Sequence, residues 1–249
     1  MIPYRDDNPT RSFPIITVLL ILVNSLVWIF FRLQGDLTYQ RAVFELGMIP
    51  YQVLNRVHLP FSVFMSQNFD YHGPLPSSPP PISPYLTILT SMFMHGGLLH
   101  LGGNMLYLWI FGNNVEDYLG RIRFIIFYLI CGLAAAAAHL VFNPDSLIPT
   151  VGASGAISGI LAAYLLLYPL ARVYVLIPIF FFITTARIPA AFMILFWFVF
   201  QALATMTAPP TGGGVAYWAH IGGFAAGLVW IFFRRIRHPP KRAYRRYRY

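Results

Sequence analysis

From Pro14 to Phe31 the chain carries no charged residue over a length that crosses the hydrocarbon core of a bilayer as a helix. Similar apolar runs recur at about 92–111, 124–141, from Ser154 to near Pro169, at 189–206, and from about Tyr217 onward. Backbone polar groups in hydrocarbon must be satisfied within the segment, so each run is expected to be a transmembrane helix. Composition agrees, because 57% hydrophobic, 17% aromatic and only 10% charged residues among 249 give more apolar surface than a soluble domain buries. The expected fold class is therefore all-α: a polytopic membrane helical bundle with six transmembrane helices in one domain spanning 1–249.

Charge fixes the orientation. The net charge of +9 hints at nucleic acid, yet eight of the 17 Lys and Arg lie between Arg234 and Arg248, beyond the last apolar run. Such a tail reads as a topology signal, and no nucleic-acid partner is expected. Arg121 and Arg123 follow the second run and Arg172 and Arg187 follow the fourth, whereas the connections after the third and fifth carry none. Both termini are then cytoplasmic, with 1–13 a polar leader and 235–249 a basic tail. Residues 32–91 form a long first loop that exempts itself from the charge rule by its length; its middle is apolar enough to lie structured at the interface, and Gly73–Pro81 is too proline-rich for helix. No cleavable signal is expected before the first run. Val173–Ile183 is apolar but interrupted by Pro178, and is expected at the interface rather than as a span. The single cysteine, Cys131, reads as a packing residue.

The chemistry-bearing stretch is Gly152-Ala153-Ser154-Gly155-Ala156-Ile157-Ser158-Gly159, where a serine flanked by glycines opens a hydrophobic helix. Unpaired N–H groups and the positive dipole end of a helix there would suit a nucleophile whose substrate develops an oxyanion. The plainer account is a small-residue packing face of Gly155, Gly159 and Ala163 with an incidental serine. In the second run, His100 and Asn104 are four apart and share a face, while His95 points elsewhere. Buried polar side chains in a span usually mark function, with hydrogen-bonded glue between helices as the alternative. In the sixth run, His220 lies three residues before Gly223, and Gly223 and Gly227 form a close-packing face. If that face meets Gly155 and Gly159, His220 is carried towards Ser154 as a general base beside a nucleophile. His139 reads as an interfacial residue, Gln201 as a hydrogen-bonding partner for a neighbour, and the uncharged glycine-proline loop Thr207–Gly214 as one that can move.

These residues resemble the rhomboid intramembrane serine proteases, from the second run through the sixth, about two thirds of the chain. His100 and Asn104 match the family's H-x-x-x-N, with His95 the histidine upstream; Gly152, Ser154 and Gly155 match G-x-S-G; Ala219, His220, Gly223 and Gly227 match A-H-x-x-G-x-x-x-G; Gly112, Val115, Glu116 and Gly120 match G-x-x-V-E-x-x-x-G. The resemblance implies a Ser154 and His220 dyad, oxyanion stabilisation by the Ser154 N–H, His100 and Asn104, catalytic helices within 92–234, and a cap over the site from the loop before the sixth helix. It implies no metal or other cofactor, and as partners transmembrane protein substrates and the lipid bilayer; the expected location is a bacterial plasma membrane. Leu86 and Thr87 stand where some members carry Trp-Arg, and Ser158 where an aromatic stacks on the catalytic histidine. The expected activity is serine endopeptidase cleavage in or near transmembrane segments. Two rivals remain: a catalytically inactive rhomboid-like binding protein for membrane clients, and a transporter, which would want intramembrane carboxylates that the six runs lack.

Overall fold

The apolar runs are helical in the computed structural model, which describes residues 2–68, 82–179, 182–207 and 216–237. Helix α1 (Ile15–Leu33) is followed by four short helices of the first loop, α2 (Asp36–Leu46), α3 (Pro50–Asn55), α4 (Phe61–Asn68) and α5 (Pro84–Thr90). Then come α6 (Leu98–Tyr107), which passes through a π-helical turn at Leu108–Gly112 into α7 (Asn113–Leu119), and α8 (Arg121–Phe142), α9 (Ser154–Leu167), α10 (Ala190–Thr207) and α11 (Tyr217–Arg237). Among the described helices, α1 and α8 are long and apolar enough to cross a membrane by themselves; α9 and the 190–203 part of α10 are apolar but shorter. The expected loop Thr207–Gly214, the proline-rich Gly73–Pro81 and the tail beyond Arg237 fall outside the described residues, except for Thr207, which ends α10.

The protein is mostly helical but not all-α. Strands β1 (Ile2–Asp6), β2 (Arg172–Ile179) and β3 (Phe182–Pro189) form an antiparallel sheet in the order β1-β2-β3. The segment expected at the interface is thus a strand, and the expected polar leader pairs with it through β1. The reason lies in the alternation that an apolar count overlooks: Val173 and Val175 are fully buried while Arg172 and Tyr174 lie between and beside them on the other face. Pro178 is tolerated because β1 reaches only Leu176, so no N–H is owed to β1 at that point. Asp7 closes the arrangement by accepting the Arg172 N–H at 2.8 Å.

Glu116, expected outside the spans, is buried at the start of α1. Its carboxylate accepts the backbone N–H groups of Ile16 (3.0 Å) and Thr17 (2.8 Å) and the Thr17 hydroxyl, so it caps a helix whose own N-cap is Pro14. The first loop packs Phe44, Ile49, Phe61, Phe64 and Met65 into a satellite cluster of its own. The main core gathers around α9, which is buried on nearly all sides between α8 and α11. Contact between α9 and α11 is backbone to backbone: a Cβ at Gly223 would fall on the Gly155 carbonyl oxygen, and one at Gly227 on the Gly159 carbonyl oxygen. Cys131 of α8 is fully buried against Gly159, in the packing role expected of it.

Candidate active site

Four backbone contacts hold the approach to Ser154. Met48 and Thr150 exchange N–H···O bonds of 3.0 and 2.8 Å, Tyr51 N–H reaches the Ser146 carbonyl at 3.1 Å, and Gly152 N–H the Ser91 carbonyl at 2.8 Å. The first loop is therefore fastened directly to the segment that delivers the serine, without the Trp-Arg pair; Leu86 is exposed and the Thr87 hydroxyl bonds only locally, to the Pro84 carbonyl at 2.6 Å. Gly152 has φ +126°, a region that L side chains rarely adopt, and a Cβ there would lie 2.8 Å from His100 Nε2. Ser154 then opens α9, whose first-turn N–H groups have no acceptor within the helix.

His220, in the first turn of α11, is buried, and its Nε2 lies 2.7 Å from Ser154 Oγ. Its other ring nitrogen, Nδ1, lies 2.8 Å from Oε1 of Gln201 on α10. The route that the sequence suggested is the one the helices take: the Gly223 and Gly227 face lies on the Gly155 and Gly159 carbonyls, and His220 rides one turn above it. Phe224 leaves that face and stacks on Phe198 of α10 at 4.3 Å. Ser158, one turn after Ser154, is turned back on its own helix, donating to the Ser154 carbonyl at 2.7 Å.

On the opposite side of Gly152 stand His100 and Asn104, on one face of α6. The Gly96 N–H donates to His100 Nδ1 at 3.3 Å, which leaves the ring proton on Nε2, the nitrogen aimed towards Gly152. Asn104 is buried, and its Nδ2 makes no hydrogen bond among the described residues. Two N–H donors thus converge beside the serine. His95 departs from expectation: Gly96 and Gly97 break the helix, α6 begins only at Leu98, and the buried His95 ring lies edge-on to His100 at 5.2 Å rather than facing away. His139, expected near the interface, lies in the last turn of α8, buried and 2.9 Å from the Thr150 hydroxyl.

All four site residues, Ser154, His220, His100 and Asn104, line one cavity of about 1120 Å³ that also reaches Trp197 and Tyr217. That volume takes several side chains of a bound peptide. Among the described residues no group of three or more His, Cys, Asp or Glu is arranged to hold a metal ion. The sequence marked Gln201 as a hydrogen-bonding partner for a neighbour, which it is; that the neighbour is His220 could not be read from spacing, because α10 and α11 meet through tertiary packing.

Comparison with known proteins meets the same stretch. The Rhomboid domain family model matches residues 83–237. The Rhomboid protease GluP of Bacillus subtilis is 44% identical over 78 residues, covering 31% of this chain and 15% of that protein. Rhomboid protein 1, mitochondrial, of Saccharomyces cerevisiae is 28% identical over 155 residues, 59% of this chain and 41% of that protein. Presenilin-associated rhomboid-like protein, mitochondrial, of Mus musculus is 30% identical over 155 residues, 59% of this chain and 37% of that protein. The chain spans less than half the length of each of these relatives. A family match over 83–237 of 249 residues, containing every residue of the cluster just described, makes the chain a member of the membrane-integral rhomboid family.

Proposed function

We propose that the chain is an intramembrane serine endopeptidase that hydrolyses peptide bonds in or near transmembrane segments of membrane proteins. The observation that carries this reading is the 2.7 Å contact of His220 Nε2 with Ser154 Oγ, with the N–H donors of His100 and Asn104 converging on Gly152 beside it. His220 takes the Ser154 proton as the oxygen attacks the scissile carbonyl; the negative charge on the carbonyl oxygen is met by the Ser154 N–H, His100 Nε2–H and Asn104 Nδ2. The proton then passes from His220 to the leaving amine, and water hydrolyses the acyl-serine with His220 again as base.

The same reading has six spans and cytoplasmic termini. Its support is the alternating direction of the helices: α6, α9 and α11 begin at the end that holds Ser154, whereas α1, α8 and α10 begin at the end that holds the sheet. At about 1.5 Å per residue, the 14 residues of α9 rise only about 21 Å, less than the roughly 30 Å of a hydrocarbon core, so with its far end at one surface its serine end stops short of the opposite one. We also propose a bacterial plasma membrane as its location, on the likeness to the Bacillus protein; the mitochondrial names among its relatives make a mitochondrial membrane the rival location.

An inactive binding protein of the same fold is the alternative. Purified wild-type protein in liposomes should cleave a single-span model substrate and be labelled by a fluorophosphonate, and Ser154→Ala and His220→Ala should each abolish both while remaining inserted. Turnover by Ser154→Ala would end the mechanism; a properly inserted wild type that neither cuts nor labels would favour the binding protein.

A further inference from the structure

The imidazole of His220 is held from a helix that carries neither it nor Ser154. Gln201 and Trp197, four residues apart on α10, both face it: Gln201 Oε1 at 2.8 Å from Nδ1, and the Trp197 ring at 5.6 Å between centroids, tilted by 38°. We propose that Gln201 is the positioning residue of this base, accepting the Nδ1–H bond and so fixing the tautomer whose Nε2 is open to the Ser154 proton. The inference rests on the serine-protease reading and adds to it a third member from α10.

A neutral imidazole has one donor and one acceptor nitrogen. For Nε2 to accept from the serine, Nδ1 must carry the hydrogen, and a buried N–H without an acceptor is costly. Gln201 is itself buried and is the acceptor that Nδ1 meets. In the opposite tautomer Nε2–H would point at Ser154 Oγ and no base would remain. The other histidines of the cavity, His100 of α6 and His139 of α8, bond elsewhere, to Gly96 N–H and to Thr150. Ser158 gives the ring no support, being bonded to the Ser154 carbonyl. A neutral amide does this orienting work without burying a second charge, which would carry a large desolvation cost. The geometry of α10 agrees: Ile194, Trp197, Phe198 and Gln201 recur at helical spacing on its inner face, while Phe196 and Phe200 are exposed on the outer one.

The test uses the full chain in liposomes, labelled with ¹⁵N-histidine. In wild-type protein the His220 resonance, assigned by its loss in His220→Ala, should show the proton on Nδ1. Gln201→Met, of similar length but without the amide, should shift that proton towards Nε2 and lower both kcat and the rate of fluorophosphonate labelling by roughly ten- to a hundredfold, with KM within about twofold. Gln201→Glu keeps an acceptor and should retain the Nδ1 proton and at least about tenfold more labelling than Gln201→Met. Wild-type kcat and an unshifted resonance in Gln201→Met would overturn the proposal. If Gln201→Met fails to insert, a proton on Nε2 in wild type or in Gln201→Glu overturns it equally. Failure of the protease reading shows separately, as wild-type protein that neither labels nor cleaves, and leaves the tautomer arm readable.

Discussion

Replacing Gly223 with alanine adds one methyl group far from any reacting atom, and its effect can be worked from the helix contact. The new Cβ would fall on the Gly155 carbonyl oxygen, with the carbonyl carbon only 2.9 Å away. Non-bonded carbon atoms settle at roughly 3.5–4.0 Å, so α11 must back away from α9 by about 1 Å, since neither backbone can rotate aside as a side chain would. His220 sits one turn away on the same helix, and its 2.7 Å contact with Ser154 would open past hydrogen-bonding range. A misplacement of about 1 Å costs on the order of a hundredfold in turnover, and Gly223→Leu should leave no measurable cleavage. Phe224→Leu should cost less than about tenfold, because Phe224 stacks on Phe198 of α10 and its side chain is not part of the backbone contact at Gly155 and Gly159. The assay is cleavage of a single-span substrate by purified, inserted protein, normalised to the amount folded. Near-normal turnover by Gly223→Ala would refute the argument, because Ser154 and His220 would then be aligned by something other than the glycine seam.

His100→Ala should lower turnover by roughly two to three orders of magnitude, as loss of a positioned oxyanion donor does, and Asn104→Ala by less; unchanged single-turnover chemistry in both would make the polar face of α6 structural. Cys131→Ala should keep most activity and thiol reagents should not inhibit, since the thiol is fully buried against Gly159; inhibition by such a reagent would contradict that packing. Asp6 lies in β1, outside the helices, and burial pushes its carboxyl up from 3.8 to about 6, so the folded state holds this proton more tightly than the unfolded chain does. That preference stabilises fully below about pH 4 and is lost as pH rises through about 6: the unfolding temperature should fall over this window in wild type and stay flatter in Asp6→Asn, and equal slopes would remove Asp6 as the cause.

Much of the site was legible because its residues announce themselves locally. A serine between glycines, a histidine four before an asparagine and a histidine three before a glycine seam each have a meaning within one or two helical turns, and the seam itself says which helices must meet. What escaped were pairings between distant segments. The leader's Pro3 meets Val175, and Asp6 meets Tyr164, across sequence separations that no short window contains. That β2 is a strand went unforeseen because an apolar count alone does not register the alternation of a strand with one covered face. His95 was placed on a helix because its spacing to His100 was counted as helical, although Gly96 and Gly97 between them were signal enough that the helix starts later. That Glu116 caps the proline-led start of α1 was likewise out of reach, because its partners Ile16 and Thr17 lie about a hundred residues away.

The glycine seam also sets a clock. During synthesis α9 is made before residues 217–237 exist, and those residues bring His220 and the close backbone contact. On the serine-protease reading, a nascent chain arrested before α11 holds Ser154 without His220, chemically no better than any other alcohol. On that reading, latency of this kind would need no inhibitor, and unfinished copies in a bilayer would stay inactive until each chain had closed on itself.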